Sequence, residues 1–379
     1  MSTFGVYVKK IRAITPHPKA DRLEFAHIDG YRSIVRKGQY APGDLVAYLP
    51  EAAVLPEALL RHLDLWDEAA HRGKLSGPQG NRISAIRLRD ELSQGICYPV
   101  ADFKEGDEIS GLLGVTKYQP EVPDCLKGDV VFVGHDAVLH FDVENVKSYP
   151  DALQDGEEVI FTEKLHGTCT IVGILPYAMA FPEGFGERNN LVIFSKDLGA
   201  KGFVFANTPK NQAENVYVRA TRPLIERIDA QQREADSDQE LTLPFFILGE
   251  TYGRESGQDL HYGTQLDFRV FAAAYGSRTS VTHGYLDWDS VDGPLKARLG
   301  YATVPLLYRG PYSEAVRQQH TAGKTTVAHA TEGAAASLHI REGIVMVPVS
   351  ERRDPRFGRV CLKSVSDAYL SRKGGTEHT

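Results

Sequence analysis

At 379 residues the chain has room for two or three domains, and its 42% hydrophobic and 25% charged content is that of an ordinary globular protein. A net charge of −7 excludes a chain-wide basic field for nucleic acid, so any such contact must come from a local patch. The four cysteines, Cys97, Cys125, Cys169 and Cys361, lie far apart with no C-x-x-C pair, which excludes a zinc ribbon and a disulfide framework and fits a reducing compartment. There is no basic-then-apolar leader and no apolar run near eighteen residues. The expectation is a soluble, cytoplasmic protein with no membrane contact, and nothing demands more than a monomer.

Residues 1–115 read as short strands split by turns. Val6 to Thr15 is one expected strand, Leu23 to Ile28 the next, and Asp29-Gly30 a hairpin signal before Tyr31 to Val35. Ala41-Pro42-Gly43-Asp44 is a turn before a strand at Leu45 to Leu49. Leu55-Pro56 opens a helical pattern through Leu59, Leu60, Leu63 and Trp66. Arg82 to Arg89 reads as a further strand. Five short strands and one helix predict an all-β OB-fold barrel.

The runs His17-Pro18-Lys19-Ala20-Asp21-Arg22-Leu23, Pro42-Gly43-Asp44-Leu45-Val46-Ala47 and Ile86-Arg87-Leu88-Arg89, the last leading to Ser93-Gln94-Gly95-Ile96, resemble the tRNA-binding OB domains appended to synthetases. Arg82, Arg87 and Arg89 are candidates to track an RNA backbone, or else surface arginines paired with Asp90 and Glu91. Residues 1–115 hold 15 Lys+Arg and 15 Asp+Glu, so this is a patch and not a basic domain.

Residues 116–150, with Pro120 and Pro123, read as a connector. Within them Phe141 to Val146 is a short helix or strand, ended by Tyr149-Pro150. From 151 to 373 the grain changes to longer elements. Asn211 to Arg233 is the best helix, with Val216, Val218, Ala220, Leu224, Ile225 and Ile228 at three- and four-residue spacing. Phe245 to Leu248, Phe268 to Ala274, Ile340 to Pro348 and Val360 to Val365 read as strands, and Ser313 to Gln319 as a short helix. Residues 374–379 are an expected disordered tail.

The second domain is organised around Glu163-Lys164-Leu165-His166-Gly167-Thr168, between strand-like runs Glu157 to Thr162 and Thr170 to Leu175. A lysine ending an apolar strand before a glycine is a candidate nucleophile. Four segments follow it in order: Leu248-Gly249-Glu250-Thr251-Tyr252-Gly253, Asp267-Phe268-Arg269-Val270-Phe271, Arg341-Glu342-Gly343-Ile344-Val345-Met346, and Val360-Cys361-Leu362-Lys363-Ser364. In this order they resemble the motifs of the covalent nucleotidyltransferases, namely ATP-dependent ligases and capping enzymes. Histidine at 166, where DNA ligases carry aspartate, resembles the RNA ligases. An OB domain placed first resembles the Deinococcus-type RNA ligase family.

The resemblance implies an α+β nucleotidyltransferase domain with antiparallel sheets, using ATP with Mg²⁺ or Mn²⁺. Lys164 would attack the α-phosphate, as a neutral amine. Glu163 would sit at the adenine edge, Glu250 would accept from the ribose, and Phe271 would stack on adenine, with Phe268 on the other strand face as core. Glu342 would hold the metal, and Lys363 would stabilise charge on the α-phosphate. His166 is a candidate phosphate contact or a structural histidine. Lys196, in Ser195-Lys196-Asp197-Leu198-Gly199-Ala200-Lys201-Gly202, is a candidate phosphate contact or part of a solvated loop. Two departures stand out. Cys361 occupies the place of the first lysine of a K-x-K, with Arg359 or Arg372-Lys373 as substitutes, and Ala272 follows the stacking phenylalanine where the family has aspartate. The implied partner is nicked or broken RNA, with a kinase or phosphatase to heal its ends. The competing readings are a capping-type guanylyltransferase and an RNA-binding protein with an inactive transferase domain.

Overall fold

The computed structural model describes residues 4–118, 126–234, 241–256, 262, 265–277, 279–327 and 339–372. Cys125, Lys373 and the tail at 374–379 therefore lie outside the described residues. The chain gathers into two units, one made of residues 2–120, 143–153 and 364–379, the other of 121–142 and 154–363. The segment 116–150 is thus divided between the units.

The first unit carries β1 (Tyr7–Lys10), β2 (Ala13–Pro16), β3 (Leu23–Ile28), β4 (Tyr31–Arg36), β5 (Leu45–Leu49), α1 (Glu57–His62), β6 (Ile86–Leu88), β7 (Glu91–Ser93) and β8 (Ile96–Pro99). Two three-stranded antiparallel sheets, β1-β5-β8 and β2-β3-β4, form its frame. The single strand expected at Val6 to Thr15 is broken after Lys10, so one half pairs with β5 and the other with β3. That switch of sheets is how a short barrel turns a corner. β5 is an unbroken apolar run because both its faces are covered. Val46 and Tyr48 join Ile11, Ala26, Ile28 and Cys97, while Ala47 and Leu49 join Val6, Val8, Leu55, Leu59 and Leu60.

The strand expected at Arg82 to Arg89 is a correction. Only Ile86–Leu88 is strand, and it forms a hairpin with β7 through Arg89-Asp90. Both turn residues have positive φ, 48° and 70°, as a two-residue primed hairpin turn requires. The three arginines therefore share no strand face.

The second unit carries β9 (Val130–Phe132), β10 (Glu158–Lys164), β11 (Thr168–Ile174), β12 (Leu191–Ser195), α2 (Lys196–Ala200), β13 (Phe203–Phe205), α3 (Val216–Glu234), β14 (Phe245–Tyr252), β15 (Asp267–Tyr275), β16 (Leu306–Pro311), α4 (Glu314–Thr321), β17 (Gly343–Pro348) and β18 (Leu362–Val365). One antiparallel sheet runs β9-β13-β12-β11-β14-β15, and a second runs β18-β17-β10-β16. Consecutive strands β10 and β11 belong to different sheets, so the turn between them crosses from one sheet to the other.

The helix expected over Asn211 to Arg233 is two helices, because Asn215 leaves helical geometry and caps α3, its Oδ1 accepting from the Tyr217 and Val218 amides at 3.0 and 3.2 Å. Tyr217, Thr221, Leu224 and Ile228 then form the buried stripe of α3, at alternating spacings of four and three residues. Tyr217, Leu224 and Ile228 pack on Val172, Ile193, Ile247 and Val270 of the larger sheet.

Candidate active site

β10 is buried from Val159 to Glu163 and opens at its end at Lys164, whose side chain keeps 19% exposure. Alternation along the strand puts Glu163 and Lys164 on opposite faces. Lys164 pairs across the sheet with Gly343, which brings the preceding residue, Glu342, to its side chain. Lys164 Nζ lies 2.7 Å from Glu342 Oε1, and His166 Nδ1 lies 3.7 Å from Glu342 Oε2. Burial by itself pushes the Glu342 carboxyl up, but the Lys164 ammonium and His166 outweigh it and hold the group below the ordinary carboxylate range.

The turn between the strands is fixed at three points. Leu165 is buried in a cluster with Ile160, Tyr252, Tyr262 and Trp288. The His166 amide donates to the Tyr262 hydroxyl at 2.8 Å. At Gly167 a Cβ would stand 2.3 Å from the Thr251 carbonyl oxygen, so β14 approaches too closely for any side chain.

Glu250 faces this turn from β14. Part of its surface stays accessible, yet the surrounding protein pushes its carboxyl up to about 8; the Lys164 ammonium opposes this and the Glu342 carboxylate reinforces it. The Lys196 charge also bears on Glu250. Lys196 opens α2, after Ser195 whose hydroxyl caps the helix, and its Nζ is 3.4 Å from Asp142 Oδ1. Lys164, His166, Glu250, Lys196 and Glu342 are thus gathered into one cluster of the second unit.

Phe271 occupies a β-bulge. Leu248 pairs with Ala272 and Gly249 with Val270, leaving Phe271 as the extra residue, half-buried and 5.3 Å from the Phe141 ring. Phe268 is core, its ring lying where a Cβ on Gly249 would fall.

The carboxylate of Glu163 is turned away from Lys164 and fully engaged. It accepts from the Thr325 hydroxyl, from the Thr326 amide at 2.8 Å and from the Thr326 hydroxyl at 2.6 Å. In this arrangement it secures the loop before Val327. Lys363 is buried in β18, next to β17. Cys361 is buried, and burial raises its thiol to about 11 despite the nearby Arg359. Arg359 is bound to Glu351 and lies over the Tyr285 ring at 3.9 Å, so its charge is already neutralised. Arg372 lies over the Tyr369 ring at 3.5 Å.

In the first unit Arg82 is half-buried over the Tyr118 ring at 4.3 Å, and its Nε is buried without a hydrogen-bond partner. Arg87 is exposed and donates to the Asp90 carbonyl at 2.8 Å, and Arg89 sits in the exposed turn. Sequence reasoning passed over Tyr262, Thr325, Thr326, Phe141 and Asp142. Their roles depend on partners far along the chain, and no local pattern marks them.

Among the described residues no group of three or more His, Cys, Asp or Glu forms a metal cage. A divalent ion held by one carboxylate, waters and phosphates needs no such cage. Glu342 fits that role, because its Oε2 is buried with no hydrogen bond. No described helix is long and apolar enough to cross a membrane.

An antiparallel two-sheet domain with a partly exposed lysine at the end of a buried strand, preceded by an OB-fold barrel, has the architecture of the nucleotidyltransferase-type ligases. A model of the RNA ligase family matches residues 157–365, more than half of the chain, and an OB-fold domain model matches residues 6–100. The chain belongs to the RNA ligase family. Comparison with curated proteins finds no match. Among solved structures, an RNA ligase of Naegleria gruberi, as a mutant with ATP and Mn, is 20% identical, with 97% of this chain and 98% of that one covered and a TM-score of 0.71. An apo mutant of the same ligase is 21% identical, with 98% of both chains covered and a TM-score of 0.72. Its form with PPi is 20% identical, with 96% and 97% covered and a TM-score of 0.71. At this identity the likeness is one of fold.

Proposed function

We propose that the protein is an ATP-dependent RNA ligase that works through a lysyl-AMP intermediate on Lys164 and seals 3′-hydroxyl and 5′-phosphate RNA ends, in RNA repair. The observation that carries this reading is the Lys164–Glu342 contact at 2.7 Å, in a cleft that also holds His166, Glu250 and Lys196. The Lys164 amine attacks the α-phosphorus of ATP, the bond to the β-phosphate breaks, and pyrophosphate leaves. The AMP then passes to a 5′-phosphate end, and the 3′-hydroxyl displaces AMP as the phosphodiester forms.

Each neighbour has a part in this reading. Glu342 would hold a Mg²⁺ or Mn²⁺ ion, which supplies charge neutralisation at the phosphates when bound. Lys196 and Lys363 add fixed positive charge for the phosphates. Glu250, partly protonated near neutral pH, can both donate to and accept from the ribose hydroxyls. Phe271, re-aimed by the bulge, offers its ring to adenine. Glu163 acts through Thr325 and Thr326 as a positioning residue, and His166 steadies Glu342. The OB-fold unit, with Arg87 and Arg89 on its hairpin, would hold RNA. The Naegleria gruberi ligase solved with ATP and Mn supports the choice of nucleotide and ion. A kinase or phosphatase that prepares the ends is the expected partner class.

The test uses purified protein, a divalent ion, and ATP or GTP labelled at the α-phosphate. A covalent label from ATP and not from GTP, followed by sealing of a nicked RNA duplex, is the expected result. Label from GTP would instead favour a capping-type enzyme. RNA binding without any covalent label would favour an inactive transferase domain.

A further inference from the structure

Beyond the end of β14, residues Gly253 to Ser256 turn away from the sheet, and Gln265 and Leu266 lead back into β15. There, against the first turns of α3, lies a cavity of about 330 Å³ lined by Arg219, Arg222, Glu255, Gln265 and Leu266. We propose that this cavity binds phosphates of the RNA strand whose end is joined at Lys164. The proposal rests on the ligase reading above and names a surface that the reading leaves unassigned.

The cavity lies near the nucleophile turn. The cavity shares α3 with Tyr217, whose hydroxyl meets the Thr168 hydroxyl at 2.8 Å, one residue beyond Gly167 of the nucleophile turn. Thr168 is in turn paired with Thr251, near the end of the strand that leads into the cavity. The cavity therefore lies along the same end of the sheet as Lys164.

The chemistry of the lining suits an anion. The lining carries two guanidiniums against one carboxylate, in a chain whose net charge is −7. Arg219 and Arg222 are three residues apart on a helix and share a face. Arg219 Nη1 already holds an oxyanion, Glu255 Oε2, at 2.7 Å, and both groups are substantially exposed. Arg222 uses its Nη2 on Gln212, at 2.5 Å to the carbonyl and 3.2 Å to the side chain, which leaves its other N–H donors for a ligand. Guanidinium forks suit phosphate oxygens, and an exposed carboxylate partner is readily displaced by a polyanion. Glu255 thus acts as a stand-in that a phosphate replaces.

The experiment measures the affinity of the full chain for a nicked RNA duplex across a salt series. Arg219→Ala with Arg222→Ala should weaken binding about tenfold or more and flatten the log K against log salt slope by about 0.7–0.9 for each phosphate no longer neutralised. Glu255→Gln should tighten binding several-fold. A merely structural ion pair would not move the two variants in opposite directions. Arg222 is exposed, so Arg222→Ala alone carries the test if the double variant fails to fold. Unaltered affinity and slope, or equal weakening by the arginine and glutamate variants, overturns the site. A raised KM for ATP with unaltered RNA affinity also overturns it, since the cavity would then serve the nucleotide phosphates. Wild-type protein that binds no RNA duplex sinks the ligase reading together with this one.

Discussion

Glu250→Gln isolates the electrostatic cost of the cleft. Glutamine keeps the size of the side chain and its ability to accept a hydrogen bond, but removes the titration. The native carboxyl sits at about 8 against an ordinary 4.5. Between those two values the folded protein holds a proton that the unfolded chain has released. Stability from this group is therefore full below about 4.5 and is lost progressively as pH rises towards 8. One unit corresponds to about 1.4 kcal/mol, so the interval sets a ceiling of about 5 kcal/mol. Lys164 and Glu342 titrate with Glu250 as a group, and part of the side chain is accessible, so about 2 kcal/mol is the expected share. For a domain of this size that is a Tm difference of about 4–8 °C. The assay is thermal unfolding of wild type and Glu250→Gln between pH 5.5 and 8.5 without nucleotide. The two curves should diverge as pH rises, with the variant the more stable at the alkaline end. Parallel curves would refute the assignment of Glu250 as a carboxyl held protonated by its surroundings.

Glu342→Gln should lower lysyl-AMP formation on the order of 10²-fold or more, read as the single-turnover rate with saturating Mn²⁺, because it removes the charge that faces Lys164 and that, in the proposed reaction, would hold the ion. An undiminished rate would remove Glu342 from the chemistry. Phe271→Ala should raise the KM for ATP about three- to tenfold, the equivalent of roughly 1 kcal/mol of stacking, while Phe271→Trp should retain most of the affinity. Equal losses in both variants would mean that the ring serves packing against Phe141 instead. Gly167→Ala forces a Cβ to within 2.3 Å of the Thr251 carbonyl, so it should cost about 1–3 kcal/mol in thermal unfolding and disrupt adenylylation. A variant with wild-type stability would show that β14 yields freely.

The strand-face placement of the candidate residues was legible because strand periodicity is strict. Alternation alone separates Glu163 from Lys164 and Phe268 from Phe271, and the structure keeps both separations. It could not show what Glu163 meets on its own face, since Thr325 and Thr326 are more than 160 residues away in sequence. The bulge at Phe271 was hidden for the same reason, being a property of the pairing with β14 and not of one strand. Arg89-Asp90 escaped notice because positive φ at both positions usually announces itself with Asn or Gly. The break at Asn215 was not legible because the apolar pattern, Val216 to Ile228, lies wholly beyond it and says nothing about the polar residues 211–215. Burial settles the character of Cys361, which sequence left open. Its thiol is buried and Arg359 is bound to Glu351, so neither replaces a lysine charge, and Lys363 is the lysine that remains in that segment.

In the proposed reaction Lys164 becomes covalently joined to AMP. Incubation with ATP and Mn²⁺, followed by peptide mass analysis, should find one AMP on the peptide carrying Lys164, and Lys164→Ala should abolish the adduct while leaving the fold intact. An adduct that persists in Lys164→Ala, or one located on another residue, would contradict the account.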